Sequence, residues 1–211
     1  MKQYKVGILG ATGSVGREMM KILLERDFPI SELHLYASER SAGKVLAWNS
    51  KPIQIELAAE DAFEGLDIVL GAAESDVAKR FAPAIVKAGA VFIDNSSAFR
   101  LREDVPLVVP EVNPEDVKQH RGIISNPNCS TIIAVTAVNA LKQFSPIVSM
   151  VASTYQAVSG AGAAGPVELS EQTAAVMKGQ PVQSKVFPHQ IAFNLIPQIG
   201  GERRAATPPR R

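Results

Sequence analysis

The sequence predicts an α/β chain: a largely parallel sheet with helices on both faces, then a second, differently built segment. Three observations carry this expectation. Short β-branched and aliphatic runs alternate with helical periodicity through the first half. A glycine-rich turn joins the first run to the first helical stretch, and the character of the sequence changes near Asn126.

Lys5 to Leu9 is a short apolar run closed by Gly10, as expected of a buried first strand. From Ser14 to Arg26, Val15, Met19, Ile22 and Leu23 fall on one helical face. Leu33 to Tyr36 reads as a second strand and Ile68 to Leu70 as a third, followed by a helix from about Ser75 to Ala88 that Gly89 stops. Val91 to Asp94, Leu107 to Val109 and Ile123 to Ser125 are further short strands. Cys129 to Lys142 is helical, with Ile132, Ile133, Val135, Val138 and Leu141 apolar, and Ile147 to Gln156 is a longer strand. A small-residue loop, Ser159-Gly160-Ala161-Gly162, precedes a helix with Pro166 in its first turn and Gly179 at its stop. Phe187 to Pro197 is expected to be partly extended.

The chain has 211 residues, 46% hydrophobic and 20% charged, a globular composition. No apolar run reaches the roughly 18 residues a bilayer span needs. Met1-Lys2-Gln3-Tyr4-Lys5 runs straight into the first strand without a secretory signal, so a cytoplasmic protein is expected. A single cysteine makes neither an internal disulfide nor a zinc cage. Net charge is +1, but residues 201–211 hold four arginines and one glutamate; without them 18 basic and 20 acidic side chains remain. The body of the chain therefore has no basic excess to attract nucleic acid.

Four constellations carry chemistry. Gly7-Ile8-Leu9-Gly10-Ala11-Thr12-Gly13-Ser14-Val15-Gly16 stands between first strand and first helix, where glycines let backbone N–H groups and a helix N-terminus approach a pyrophosphate. The second strand ends Tyr36-Ala37-Ser38-Glu39-Arg40-Ser41. Ser38, Arg40 and Ser41 suit the 2′-phosphate of NADP, Glu39 is the contrary sign, and a solvated loop is the plainer reading. Asp94-Asn95-Ser96-Ser97-Ala98-Phe99-Arg100 sets short donors beside one arginine, fit for a phosphate or carboxylate, or for an Asx turn with a surface arginine. Cys129, in Asn126-Pro127-Asn128-Cys129-Ser130-Thr131, opens an apolar helix whose N–H groups stabilise a thiolate. A buried filler cysteine fits poorly with so polar a turn.

In order, GATGSVG, ASERSAGK, DNSSAFR, SNPNCSTI and TYQAVSGAG resemble the aspartate-semialdehyde dehydrogenase family, over about Lys5 to Ile199. The resemblance implies a Rossmann NADP-binding domain at residues 1–127 and part of an α+β catalytic and dimerisation domain at 128–200; residues 201–211, without apolar periodicity, read as an irregular tail. It implies NADPH-dependent conversion of aspartyl phosphate to aspartate semialdehyde and phosphate, with a homodimer expected for the family. Neither nucleic acid nor membrane is an expected partner, and no metal is implied. By the same resemblance Cys129 forms the acyl-thioester, Gln156 orients the substrate, Asn128 lies beside the reacting carbon, and Arg100 with Asn95 holds the phosphate. Gly10, Thr12, Gly13, Ser14 and Val15 would contact the cofactor phosphates, Ser38, Arg40 and Ser41 its 2′-phosphate, and Ser159 and Gly160 the nicotinamide.

The family continues past Ile199 with a Glu-x-x-Lys helix, a substrate arginine, a histidine acid/base, the rest of the dimerisation sheet and a closing helix. The Arg/Pro-rich end here departs from that pattern and reads as frameshifted or truncated, so cofactor binding with little turnover is expected. His34 lies in a strand, His120 in a charged connector, and His189 alone lies in the catalytic part; a surface or capping role is expected for all three. An N-acetyl-glutamyl-phosphate reductase shares the layout, and a non-catalytic NADP-binding module is the alternative outside enzymes.

Overall fold

The computed structural model describes residues 2–197; the tail at 201–211 lies outside the described residues. The chain divides into two compact units, Met1–Tyr155 and Gln156–Arg211.

The first unit is built on a seven-stranded sheet. Its elements are β1 (Tyr4–Leu9), α1 (Ser14–Glu25), β2 (Ile30–Ala37), β3 (Val45–Trp48), β4 (Lys51–Leu57), β5 (Ile68–Gly71), α2 (Ser75–Lys87), β6 (Val91–Asp94), β7 (Ile123–Ser125) and α3 (Cys129–Asn139). The order is β3-β4-β2-β1-β5-β6-β7, with every pairing parallel except the β3–β4 hairpin. The chain leaves β1 toward β2 on one side and reaches β5 on the other, so strand order reverses at β1, the usual place for a ligand crevice in such sheets.

Alternate side chains of the strands feed two cores. Ile8, Leu35 and Ile55 pack with Met20 of α1, while Leu9, Tyr36, Val69 and Phe92 pack with Phe81 and Ile85 of α2. Each such burial is worth about 1.5–3 kcal/mol against exposure, and a sheet filled on both faces explains the unbroken apolar runs. Trp48 Nε1 donates to the Met20 carbonyl at 2.9 Å and ties the hairpin to α1.

The hairpin was not foreseen from the sequence. Its two-residue Asn49-Ser50 turn has φ of 48° and 61°, the conformation that matches strand twist. The strand expected at Leu107–Val109 reduces to one bridge, Leu107 to Ser125. Pro106 and Pro110 lack N–H groups, and the Asn113 side-chain oxygen takes the Val109 N–H at 2.8 Å. The strand expected at Ile147–Gln156 is irregular and exposed, with Val148 96% and Val151 99% accessible, because among the described residues no strand lies alongside to take its backbone groups. The compact units divide after Tyr155, with Asn139 at the end of α3 donating to the Glu111 carbonyl at 2.7 Å and tying α3 to the first unit.

The second unit is organised by α4 (Ala164–Met177), which ends as foreseen before Gly179, at φ 65°. Residues 187–197 form bends and a turn rather than an extended stretch. Glu168 and Gln172, one turn apart and 5% and 2% exposed, take over their backbone pairing. The Glu168 carboxylate accepts from the N–H groups of Lys185 at 2.9 Å, Val186, and Phe187 at 3.3 Å, and the Gln172 oxygen accepts from Ile191 at 2.8 Å and Ala192 at 3.1 Å. Desolvation pushes the Glu168 carboxyl upward, but the three amides outweigh it and hold the group below its ordinary value of 4.5. A lowered value means the clamp stabilises above the carboxyl's unfolded range and is lost as pH falls through the folded value. Hydrogen-exchange protection of the Lys185 to Phe187 amides is therefore expected to decline below about pH 4.5, and Glu168→Gln to weaken it at neutral pH and to remove the pH dependence. Full protection at about pH 3 would contradict this.

Candidate active site

Leu9, Gly71, Asp94 and Ser125 stand in register across four adjacent parallel strands at the C-terminal edge of the sheet. The glycine turn leaves from the first, Asn95–Arg100 from the third and Asn126–Cys129 from the fourth. Three of the four sequence constellations thus emerge along one edge, and the fourth, Ser38–Ser41, follows β2 on the same edge.

At the glycine turn, Gly10 has φ 91° and donates to the Tyr36 carbonyl at 2.9 Å. A Cβ there would lie 2.8 Å from the Ala72 carbonyl carbon and oxygen. One at Gly16 would lie 2.5 Å from the Gly10 oxygen, so α1 is pressed onto the turn. Gly13 is different: its Cβ would meet nothing nearer than 3.4 Å, so the protein's own packing does not require a glycine there. Gly13 is also the N-cap of α1, which has no side-chain cap and no acidic residue in its first turn. Thr12 and Gly13 are half-buried, Ser14 and Val15 exposed. Such a bare, uncapped helix start presents N–H groups to an anion, and the cradle a Cβ would fill fits a dinucleotide pyrophosphate.

Ser38 and Arg40 border a cleft of about 770 Å³ together with Glu39, Ala58, Glu60 and Arg80. Ser41 donates its N–H to the Ser38 carbonyl at 2.9 Å and is buried beneath the turn, outside that cleft's lining. Ser38 and Arg40 are thus available to a ligand, and Ser41 supports the turn.

Behind β6, Asp94 is fully buried and accepts from Ser96 through its N–H at 3.1 Å and its hydroxyl at 2.7 Å. Burial pushes this carboxyl above its ordinary range, against the pull of Ser96 and of the Arg100 charge. Arg100 Nε donates to the Asn126 carbonyl and Nη2 to the Asn95 carbonyl, each at 2.8 Å. Asn126 Nδ2 donates to Asn95 Oδ1. The sequence reading placed Asn126 in the polar turn before Cys129 but missed its link to Asn95 and Arg100, since a half-buried asparagine after a strand carries no periodic signal.

Cys129 is exposed and is the first residue of α3. Asn128 caps that helix, its side chain accepting the Ser130 N–H at 3.0 Å, and the Cys129 Sγ lies 3.9 Å from the same oxygen. The thiol therefore belongs to an exposed residue at a helix N-terminus, which argues against a buried filler role. In the second unit, Gln156, Ser159 and Gly160 lie together: a Cβ on Gly160 would come within 2.0 Å of Gln156 Nε2.

Residues 5–120 match the semialdehyde dehydrogenase NAD-binding domain, and residues 138–210 match the semialdehyde dehydrogenase dimerisation domain, taking in part of the stretch read above as a tail. The chain is 53% identical over 200 residues to the aspartate-semialdehyde dehydrogenase of Aquifex aeolicus (strain VF5), covering 93% of this chain and 59% of that relative. It superposes on the crystal structure of aspartate semialdehyde dehydrogenase II complexed with ASA from Vibrio cholerae with a TM-score of 0.92 at 44% identity, over 97% of this chain and 61% of that one. The aspartate semialdehyde dehydrogenase with NADP from Candida albicans matches at a TM-score of 0.55 and 31% identity, over 69% of this chain and 49% of that one. The chain thus spans about three fifths of the length of the curated relatives it matches. Among the described residues no helix is long and apolar enough to cross a membrane.

Proposed function

The chain belongs to the semialdehyde dehydrogenase family, and on that premise we propose that it carries the cofactor-binding and acyl-transfer machinery of an NADP-dependent aspartate-semialdehyde dehydrogenase. The observation that supports this most is the shared edge: glycine turn, Asn95–Arg100 and Asn128-Cys129 all follow strand ends in register. In this reading the Cys129 thiolate attacks the acyl carbon of aspartyl 4-phosphate. The carbon–oxygen bond to phosphate breaks, and phosphate departs onto Arg100, with Asn95 beside it. NADPH, when bound, supplies the hydride that reduces the thioester carbon. The carbon–sulfur bond then breaks, releasing the semialdehyde and restoring the thiolate on Cys129.

Asn128 would lie beside the reacting carbon, and Gln156 would orient the substrate. Gly10, Thr12, Gly13, Ser14 and Val15 would cradle the pyrophosphate, Ser38 and Arg40 the 2′-phosphate with Ser41 supporting their turn, and Ser159 and Gly160 the nicotinamide. In this division residues 1–127 bind most of the cofactor and, through Asn95 and Arg100, the phosphate, while residues 128–200 supply Cys129, the other substrate contacts, the contact to the nicotinamide and the surface for a second subunit of the same kind.

The preference for NADP is tested by titrating NADP and NAD into the purified chain calorimetrically. Charge-assisted contacts to one phosphate predict NADP binding at least about tenfold tighter than NAD. Equal binding of the two, or binding of neither by the folded chain, would refute the cofactor reading.

A further inference from the structure

We infer that Asn126 is a positioning residue that locks Asn95 and Arg100 into one anion-holding unit at the start of the segment carrying Cys129. The inference rests on the proposal that Arg100 and Asn95 hold phosphate, and it goes beyond that by naming what holds them.

Asn126 extends the β6–β7 pairing by one residue, donating its N–H to the Asp94 carbonyl at 2.8 Å. Its carbonyl accepts Arg100 Nε at 2.8 Å, and its side-chain amide donates to Asn95 Oδ1. The Asn95 carbonyl accepts Arg100 Nη2, also at 2.8 Å, and the Asn95 N–H donates to the Gly71 carbonyl at 3.1 Å. Two carbonyls from the ends of two different strands thus set the plane of the guanidinium. Arg100 bridges those two strand ends, and the Asn126 side chain adds a direct bond between them beyond the ladder. A planar guanidinium recognises an oxyanion through the direction of its N–H groups, so fixing its plane fixes where the anion sits. Pro127, next in the chain, is buried, and Asn128 is committed to capping α3. Rotation of the Asn126 side chain is therefore felt at Asn95 and Arg100 rather than along α3.

Asn126→Ala removes the amide donor but keeps the carbonyl that accepts Arg100 Nε. Asn126→Asp keeps the shape and turns the donor into an acceptor facing Asn95 Oδ1. The experiment measures how inorganic phosphate slows iodoacetamide alkylation of Cys129 in the wild-type chain and both variants, with NADP affinity and melting temperature alongside. The half-protecting phosphate concentration is expected to rise about tenfold in each variant, while NADP affinity and melting temperature stay at wild-type values. Unchanged protection overturns the inference, as does a parallel loss of NADP affinity or of the fold, which would make Asn126 merely structural. If phosphate fails to protect the wild-type thiol, the reading of Arg100 and Asn95 as phosphate ligands fails first, and this inference with it.

Discussion

Gly10→Ala is expected to destabilise the first unit by on the order of 3 kcal/mol and to abolish NADP binding. Two penalties coincide. The position has φ 91°, where any Cβ is strained, and the added carbon would stand 2.8 Å from the backbone of Ala72, which cannot rotate away as a side chain could. The turn must then open, and with it the N-terminus of α1 that Gly16 presses onto the Gly10 carbonyl. Gly13→Ala is the control. Its Cβ would meet ordinary contacts, so stability should stay within about 0.5 kcal/mol. NADP should nevertheless weaken at least tenfold, because the methyl would occupy ground the pyrophosphate needs. Chemical denaturation and NADP titration of both variants check the pair. A fully stable Gly10→Ala variant, or a Gly13→Ala variant that binds NADP normally, would show the turn to be a plain strand–helix connection.

The second large effect is chemical rather than structural. Cys129→Ala should abolish acylation by aspartyl phosphate altogether, since no other thiol exists in the chain to form the thioester. The side chain is exposed at a helix start, so its loss should change stability by no more than about 0.5 kcal/mol. NADP binding, which depends on a different strand end, should be untouched. A variant that loses both acylation and cofactor would point to collapse of the edge rather than removal of a nucleophile.

Much of this was legible in the sequence, for identifiable reasons. A parallel sheet covered on both faces needs apolar strands, so KVGIL and the runs at 68–70 and 91–94 stood out against the polar stretches around them. Gly10 and Cys129 were visible because a glycine turn between strand and helix, and a thiol opening a helix, are local patterns. What escaped depends on partners distant in sequence. The β3–β4 hairpin alternates half-exposed residues with Pro52 and Lys51 inside it, and only its pairing reveals it. Residues 147–156 have strand composition, yet composition supplies no neighbour to pair with. Glu168 and Gln172 drew no reading, and Asn126 stood out only as part of the polar turn before Cys129, because burial of a polar group becomes apparent only with the backbone amides or side chains it meets. Ser41 was grouped with Ser38 and Arg40 as a hydrogen-bonding hydroxyl for a 2′-phosphate, and its burial becomes visible only in the folded turn.

The claim on which the account turns is that Cys129 is the attacking atom at the edge that binds phosphate and cofactor. Peptide mapping by mass spectrometry, after brief incubation of the chain with aspartyl phosphate in the absence of NADPH, addresses it directly. The account predicts a single aspartyl thioester on the peptide carrying Cys129, released by hydroxylamine and absent from Cys129→Ala. An unmodified Cys129 in chain that still binds NADP, or an adduct formed at another residue, would contradict it.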